Sequence, residues 1–160
     1  MKVAFIIPKN DDQHQQINPT NQCRVLPPVG LAHMAGVMGK QATVTLHDER
    51  INLEPLHSSP QIAIIFINSY NQQRAFDIAQ HYRNSGTFVI LTGSMLLTFS
   101  DIPSKFANCL FAGSGEEHIA KFLADYRAGK PKRYYCRPTQ SANREHHDHS
   151  QFGSKLKLAS

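Results

Sequence analysis

The stretch AIIFINSYNQQRAFDIAQHYRNSGTFVIL, residues 63–91, decides the fold. It opens on Ala63-Ile64-Ile65-Phe66-Ile67, an apolar run without polar alternation, the pattern of a strand covered on both faces. From Gln72 to Arg83 the period changes. Ala75, Ile78, Ala79 and Tyr82 fall at i, i+3, i+4 and i+7 on one helical face, and Gly86 ends the helix. Phe88 to Leu91 is a second apolar run. Two such strands joined by a helix form a parallel crossover unit.

The unit repeats in both directions along the chain. Val3 to Ile7 is again apolar throughout and reads as a central strand. Its apolar run is too short for a signal peptide, and Pro8-Lys9-Asn10-Asp11-Asp12 follows at once. A polar loop runs from Lys9 to about Pro27. Pro28 to Lys40 then reads as a helix with Leu31, Met34, Ala35 and Met38 on one face. Gly30, Gly36 and Gly39 weaken that reading, although small residues also permit close packing on a sheet. Thr43 to Leu46 is the second strand, and Pro55 and Pro60 keep any helix between 51 and 61 short. Leu110 to Ala112 is the fifth strand. A last helix spans Glu116 to Ala128, with Ile119, Phe122, Leu123 and Tyr126 on one face and Gly129 as its stop. The expected fold is therefore α/β: a Rossmann-like (flavodoxin-like), doubly wound, mainly parallel five-stranded sheet in the order 2-1-3-4-5.

Composition bounds the function. The chain has 160 residues and a formal charge of +5, enough for one domain. Residues 1–129 hold ten Lys/Arg and ten Asp/Glu, so the whole excess lies in residues 130–160, with seven Lys/Arg against two Asp/Glu. The folded domain, 1–129, thus has no charge excess for nucleic acid, and 130–160 read as a basic, His-containing flexible tail. No apolar run approaches the roughly 18 residues of a membrane span. The three cysteines, Cys23, Cys109 and Cys136, are widely spaced, which argues against a cysteine-held cluster or a disulfide framework and for a cytoplasmic protein.

Ligands of such sheets bind outside the carboxyl ends of the strands. There Asn68-Ser69-Tyr70 and Thr92-Gly93-Ser94 offer hydroxyls, an amide, a ring and a permissive glycine to one crevice, although turn chemistry alone also uses these residue types. Gly113-Ser114-Gly115-Glu116-Glu117 joins the fifth strand to the last helix. Ser114 and Glu117 fit a capping box, and the carboxylates oppose a phosphate. No Walker loop and no G-x-G-x-x-G is present. In Asp12-Gln13-His14 a carboxylate two residues from the imidazole makes His14 the candidate metal ligand, against the plain reading of a solvated loop. The two carboxylates of Asp48-Glu49 are adjacent on a strand end and point apart, so they form no catalytic dyad. The cluster His146-His147-Asp148-His149 lies in the tail without preorganised geometry. No nucleophile with its base is evident.

In their order, several segments resemble the N-terminal cobalamin-binding domain of cobalamin-dependent radical S-adenosylmethionine enzymes. Pro27-Pro28-Val29-Gly30-Leu31-Ala32-His33-Met34-Ala35 is similar to that family's P-P-x-G-L-x-x-L-A. Asp48-Glu49-Arg50, Arg74-Ala75-Phe76-Asp77-Ile78-Ala79, Val89-Ile90-Leu91-Thr92-Gly93, Gly113-Ser114-Gly115-Glu116 and Leu123 to Gly129 follow at corresponding places. The resemblance covers about residues 1–138. It implies cobalamin at the carboxyl ends of the strands, its nucleotide tail in a cleft between strands three, four and five, and contacts at Ser69, Thr92, Gly93, Ser94, Gly113 and Ser114. Thr92 stands where the family has the first of two glycines, and Met95 where it often has a histidine. Asp12-Gln13-His14 is similar to the D-x-H-x-x-G of related modules, whose histidine ligates cobalt, with Ile17 in place of the glycine. The C-x-x-x-C-x-x-C of a radical domain is absent, so no iron–sulfur cluster is expected in this chain. The expectation is a corrinoid-binding module without catalysis of its own: a truncated gene product, an isolated carrier, or a partner serving a radical enzyme subunit in trans. The alternative is a cofactor-free interaction or regulatory domain that keeps the fold. A receiver domain fits less well, since no lysine follows the fifth strand.

Overall fold

β-branched, apolar runs become central strands because only a sheet covered on both faces hides every side chain. In the computed structural model, which describes residues 1–11, 29–51, 59–97, 102, 105–113 and 115–136, this holds for β1 (Lys2–Ile7), whose residues 3–7 are all buried. The sheet is completed by β2 (Thr43–Asp48), β3 (Ile62–Phe66), β4 (Phe88–Gly93), β5 (Cys109–Ala112) and β6 (Tyr134–Tyr135). All neighbours are parallel, in the order β2-β1-β3-β4-β5-β6. Its helices are α1 (Val29–Gly39), α2 (Gln72–Asn84) and α3 (Ile119–Arg127), with a 3-10 turn at Ser94–Leu97. The fold is therefore the expected Rossmann-like α/β architecture, with one strand more.

The period-2 alternation of each strand divides the core. Val3, Phe5, Ile7, Ile62, Ile64, Ile90 and Phe111 face α1 and α3, where they meet Leu31, Met34, Met38, Ile119, Phe122 and Leu123. Ala4, Ile6, Ala63, Ile65, Val89 and Leu91 face α2, meeting Ala75, Ile78, Ala79 and Tyr82. The 3-10 turn lies on the α2 side, where Met95 and Leu96 join the same core. No helix among the described residues is long and apolar enough to cross a membrane.

Three expectations are corrected. The folded region runs past Gly129: Tyr134 and Tyr135 pair with Leu110 and Phe111 as β6. Tyr135 is buried edge-on against Phe111 and Phe122, and its hydroxyl donates to Asp125 Oδ2 at 2.8 Å and accepts from Lys132 N at 3.0 Å. Arg133 adds bonds to the carbonyls of Ala107 and Ile102. A two-residue strand has no periodicity to read; aromatic packing and these bonds create it. Second, α3 starts at Ile119 and not at Glu116, with His118 in the cap position and no side-chain cap bond; the expected Ser114–Glu117 box lies partly outside the described residues. The three-residue turn before it, closed by His118 N to Gly115 O at 3.0 Å, displaces the helix start. Third, Gly36 and Gly39 face outward: a Cβ on either would meet nothing within 4 Å, so they make no close approach to the sheet.

Candidate functional site

The carboxyl edge of the sheet has two halves. The first is the switch point, where β1 and β3 are neighbours and the winding reverses. A helix N-terminus there leaves N–H groups without partners. On α2 the residue at the cap position, Asn71, makes no side-chain cap bond. Its amide turns inward instead, accepting from Asn68 N at 2.8 Å and donating to Phe66 O at 3.3 Å. The cap comes from the end of β1: the Asp11 carboxylate accepts from Gln73 N and Arg74 N, both at 3.0 Å. Asp11 N in turn donates to Tyr70 O at 2.7 Å. Beside it the buried Glu49 carboxylate accepts from Arg74 Nε at 2.9 Å and Nη2 at 2.5 Å, and from Lys9 N at 3.3 Å. Asp48 turns the other way, to the Arg50 side chain at 2.9 and 2.8 Å. Burial pushes the Asp48 carboxyl up, and the hydrogen bonds and charge of Arg50 outweigh it, holding the group below its ordinary value. The adjacent carboxylates thus diverge, as the sequence indicates. An incoming anion at the switch point would displace or face two carboxylates.

The second half lies over β3, β4 and β5. Thr92 O accepts from Ile67 N at 2.8 Å, and Gly113 N donates to Gly93 O at 3.3 Å, so the three strand ends are tied together. Gly93 has φ +155°, and a Cβ there would lie 2.0 Å from Ile67 O. Beneath, the Thr92 side chain faces α1 and α3. Its hydroxyl is fully buried and has no hydrogen-bond partner among the described residues. Gly115 rests on it: a Cβ at Gly115 would come within 2.5 Å of Thr92 Oγ1 and 3.1 Å of Met34 Sδ and of the Phe111 ring. On the other face Met95 and Leu96 are buried. Among the described residues, the strand ends are therefore packed shut below the surface.

The rim is open. Ser69 and Ser94 are exposed, and a Cβ at Gly113 would meet nothing within 4 Å. Four large apolar side chains stand exposed in the segments leaving or entering this edge: Val29 (78%), Ile51 (74%), Tyr70 (55%) and Leu97 (41%). Three more are exposed elsewhere, Met1, Leu46 and Tyr134. The described residues contain no group of three or more His, Cys, Asp or Glu side chains placed to hold a metal ion.

Of the residues singled out from the sequence, Gly93 and Gly113 meet directly, Ser69 and Ser94 stand at the rim, and Thr92 points into the core. His14 and Ser114 lie outside the described residues. Sequence reading missed the capping role of Asp11 and the Glu49–Arg74 pair, whose members are 25 residues apart. No local signal marked the Asp11 cap, because Asn71 at the α2 cap position is itself a favoured capping residue. No protein-family model, curated protein or solved structure matches the chain.

Proposed function

We propose that this chain is a corrinoid-binding module, with cobalamin or a relative seated on the carboxyl edge of the sheet. The observation that carries this reading is the rim: Val29, Ile51, Tyr70 and Leu97 exposed in segments along this edge, together with the open Gly113 backbone and the exposed Ser69 and Ser94. Apolar side chains with a few polar groups among them suit a broad ligand whose faces are apolar and whose periphery carries amides. The fit differs with depth. Residues at the rim suit the macrocycle, whereas the buried Thr92, Met95 and Leu96 leave no space for an inserted arm between the described strand ends.

When bound, the cobalt supplies the reactivity; the protein's share is to bind, orient and shield. Ser69 and Ser94 would hydrogen-bond the peripheral amides, and Gly113 would let the backbone approach closely. The chain is not catalytic alone on this reading, and a radical enzyme subunit acting in trans is the partner class that the sequence resemblance implies. The buried free thiol of Cys109 goes with a reducing, cytoplasmic setting.

A second reading, a cofactor-free interaction or regulatory domain, is favoured by one observation, the packed strand ends. Mixing the full chain with hydroxocobalamin, desalting and recording the visible spectrum separates the two. Co-elution of corrin absorbance with protein supports the module, and its loss on Ser94→Trp places it at the rim. A colourless protein fraction leaves the cofactor-free domain.

A further inference from the structure

We infer that the amino edge of the sheet, opposite the corrinoid edge, binds a single-stranded polynucleotide through a row of cations that have no carboxylate partners. The inference is independent of the corrinoid reading.

Residues 1–129 balance ten Lys/Arg against ten Asp/Glu, but the fold continues through β6, and residues 130–136 add three Lys/Arg and no carboxylate. The fold also sorts these charges. Because every strand is parallel, the turns that enter the strands meet at one edge, and all three helices end there. Exposed Lys40 precedes β2, Lys2 opens β1, Lys105 precedes β5, and Arg127, Lys130 and Lys132 precede β6. Half-buried Arg83 and Arg133 sit among them. None of these eight forms an ion pair among the described residues. The one described carboxylate at this edge is Asp125, which accepts from the Tyr135 hydroxyl. Asp11, Asp48, Glu49, Glu116 and Glu117 lie towards the opposite edge, and Asp12, Glu54 and Asp101 lie outside the described residues. Each helix carboxyl end adds about half a negative charge, so the eight cations, one carboxylate and three helix ends leave an excess of roughly five positive charges. At about 4.8 Å per strand the row spans about 24 Å.

The row is held in place. Lys130 N donates to Asp125 O and Leu110 N to Arg133 O, both at 2.9 Å, and the Arg133 guanidinium donates to Ile102 O and Ala107 O. Arg127 donates to Gln41, joining the ends of α3 and α1. At the β6 end Tyr134 is exposed, with the Arg133 guanidinium 5.7 Å from its ring centroid. Cations in a line beside an aromatic ring match a single strand, whose phosphates follow one another and whose bases stack. An anionic membrane is the poorer match: among the described residues, Tyr134 and Met1 are the large apolar side chains exposed at this edge.

The test is fluorescence anisotropy of the full chain with a labelled oligouridylate of about 20 nucleotides, between about 50 and 200 mM salt. Residues 137–160 carry four further Lys/Arg against two Asp/Glu, so charge reversal locates the site. Lys105→Glu and Lys132→Glu should each weaken binding about fivefold at the lower salt and, combined, flatten the slope of log Kd against log salt by about 1.4. Lys121→Glu, an exposed reversal in the first turn of α3 away from this edge, should change binding by less than about twofold. Tyr134→Ala should weaken oligouridylate binding about fivefold or more and leave heparin binding unchanged. The inference is overturned by absence of oligouridylate binding, by an equal loss in Lys121→Glu, or by phosphatidylserine vesicles or polyglutamate binding at least as tightly as oligouridylate.

Discussion

Replacing Gly93 by alanine tests the closed strand ends directly. The new Cβ would sit 2.0 Å from Ile67 O and 3.1 Å from Ile67 C, and main-chain atoms of a central strand cannot swing aside as a side-chain tip can. Gly93 also holds φ +155°, a conformation L residues rarely adopt. Backbone strain of this kind costs about 1–3 kcal/mol. Relief by shifting the end of β4 disturbs the bonds on both its edges, Ile67 N–Thr92 O towards β3 and Gly113 N–Gly93 O towards β5, at roughly 1 kcal/mol each. The sum is about 3–5 kcal/mol, a large part of a domain's typical stability. For a chain of this size that lowers Tm by roughly 10–15 °C. Gly86→Ala is the matched control. It also sits at positive φ, +78°, but in open space, so it bears only the conformational term of about 1–2 kcal/mol. Thermal unfolding by circular dichroism of both variants beside the wild type decides. If Gly93→Ala is no worse than Gly86→Ala, the strand ends are not packed as described.

Other consequences follow from single contacts. Gly36 is exposed inside α1 with nothing near its missing Cβ, so Gly36→Ala should stabilise by about 1 kcal/mol, seen as a Tm rise of roughly 3 °C; a fall would show a hidden contact. In the Arg74–Glu49 pair the side chains are 36% and 4% exposed. Arg74→Ala strands a buried carboxylate and should cost about 3 kcal/mol, whereas Glu49→Ala leaves a guanidinium that reaches water and should cost about half as much; equal urea midpoints would refute the asymmetry. Burial pushes the Cys109 thiol up to about 12, with Arg133 opposing. The folded state therefore keeps a proton that the unfolded thiol loses from about pH 8.5, and this contribution to stability declines as pH rises from there towards 12. Cys109→Ala should flatten the alkaline fall in urea stability, and native Cys109 should resist iodoacetamide until the chain unfolds; labelling at the wild-type unfolding rate or slower fits, and fast native labelling would not.

Much of the fold was legible because it depends on local order. The apolar runs of β1, β3 and β4 have no polar face to turn to water, so they demand a sheet covered on both sides. The faces of α2 and α3 were readable for the same reason: Ala75, Ile78, Ala79 and Tyr82 recur at helical spacing, and all are buried. Alternation of such segments dictates parallel strands and hence one edge that gathers their carboxyl ends. Ser69, Gly93, Ser94 and Gly113 could be placed there from chain order alone.

What only tertiary structure decided are the contacts between segments far apart in the chain. Asp11 looks like any loop carboxylate until β1 and α2 come together and it caps a helix that does not cap itself. Tyr135 looks like part of a basic tail until Phe111, Phe122 and Asp125 form its pocket. Thr92 reads as a hydroxyl offered to a ligand; whether it points out or in depends on strand parity and on where Gly115 lands, and both turn it inward. Periodicity records which side of an element is apolar. Which distant group arrives to satisfy a given N–H, carboxylate or ring is settled only when the sheet assembles, because those energies exist only at contact distance.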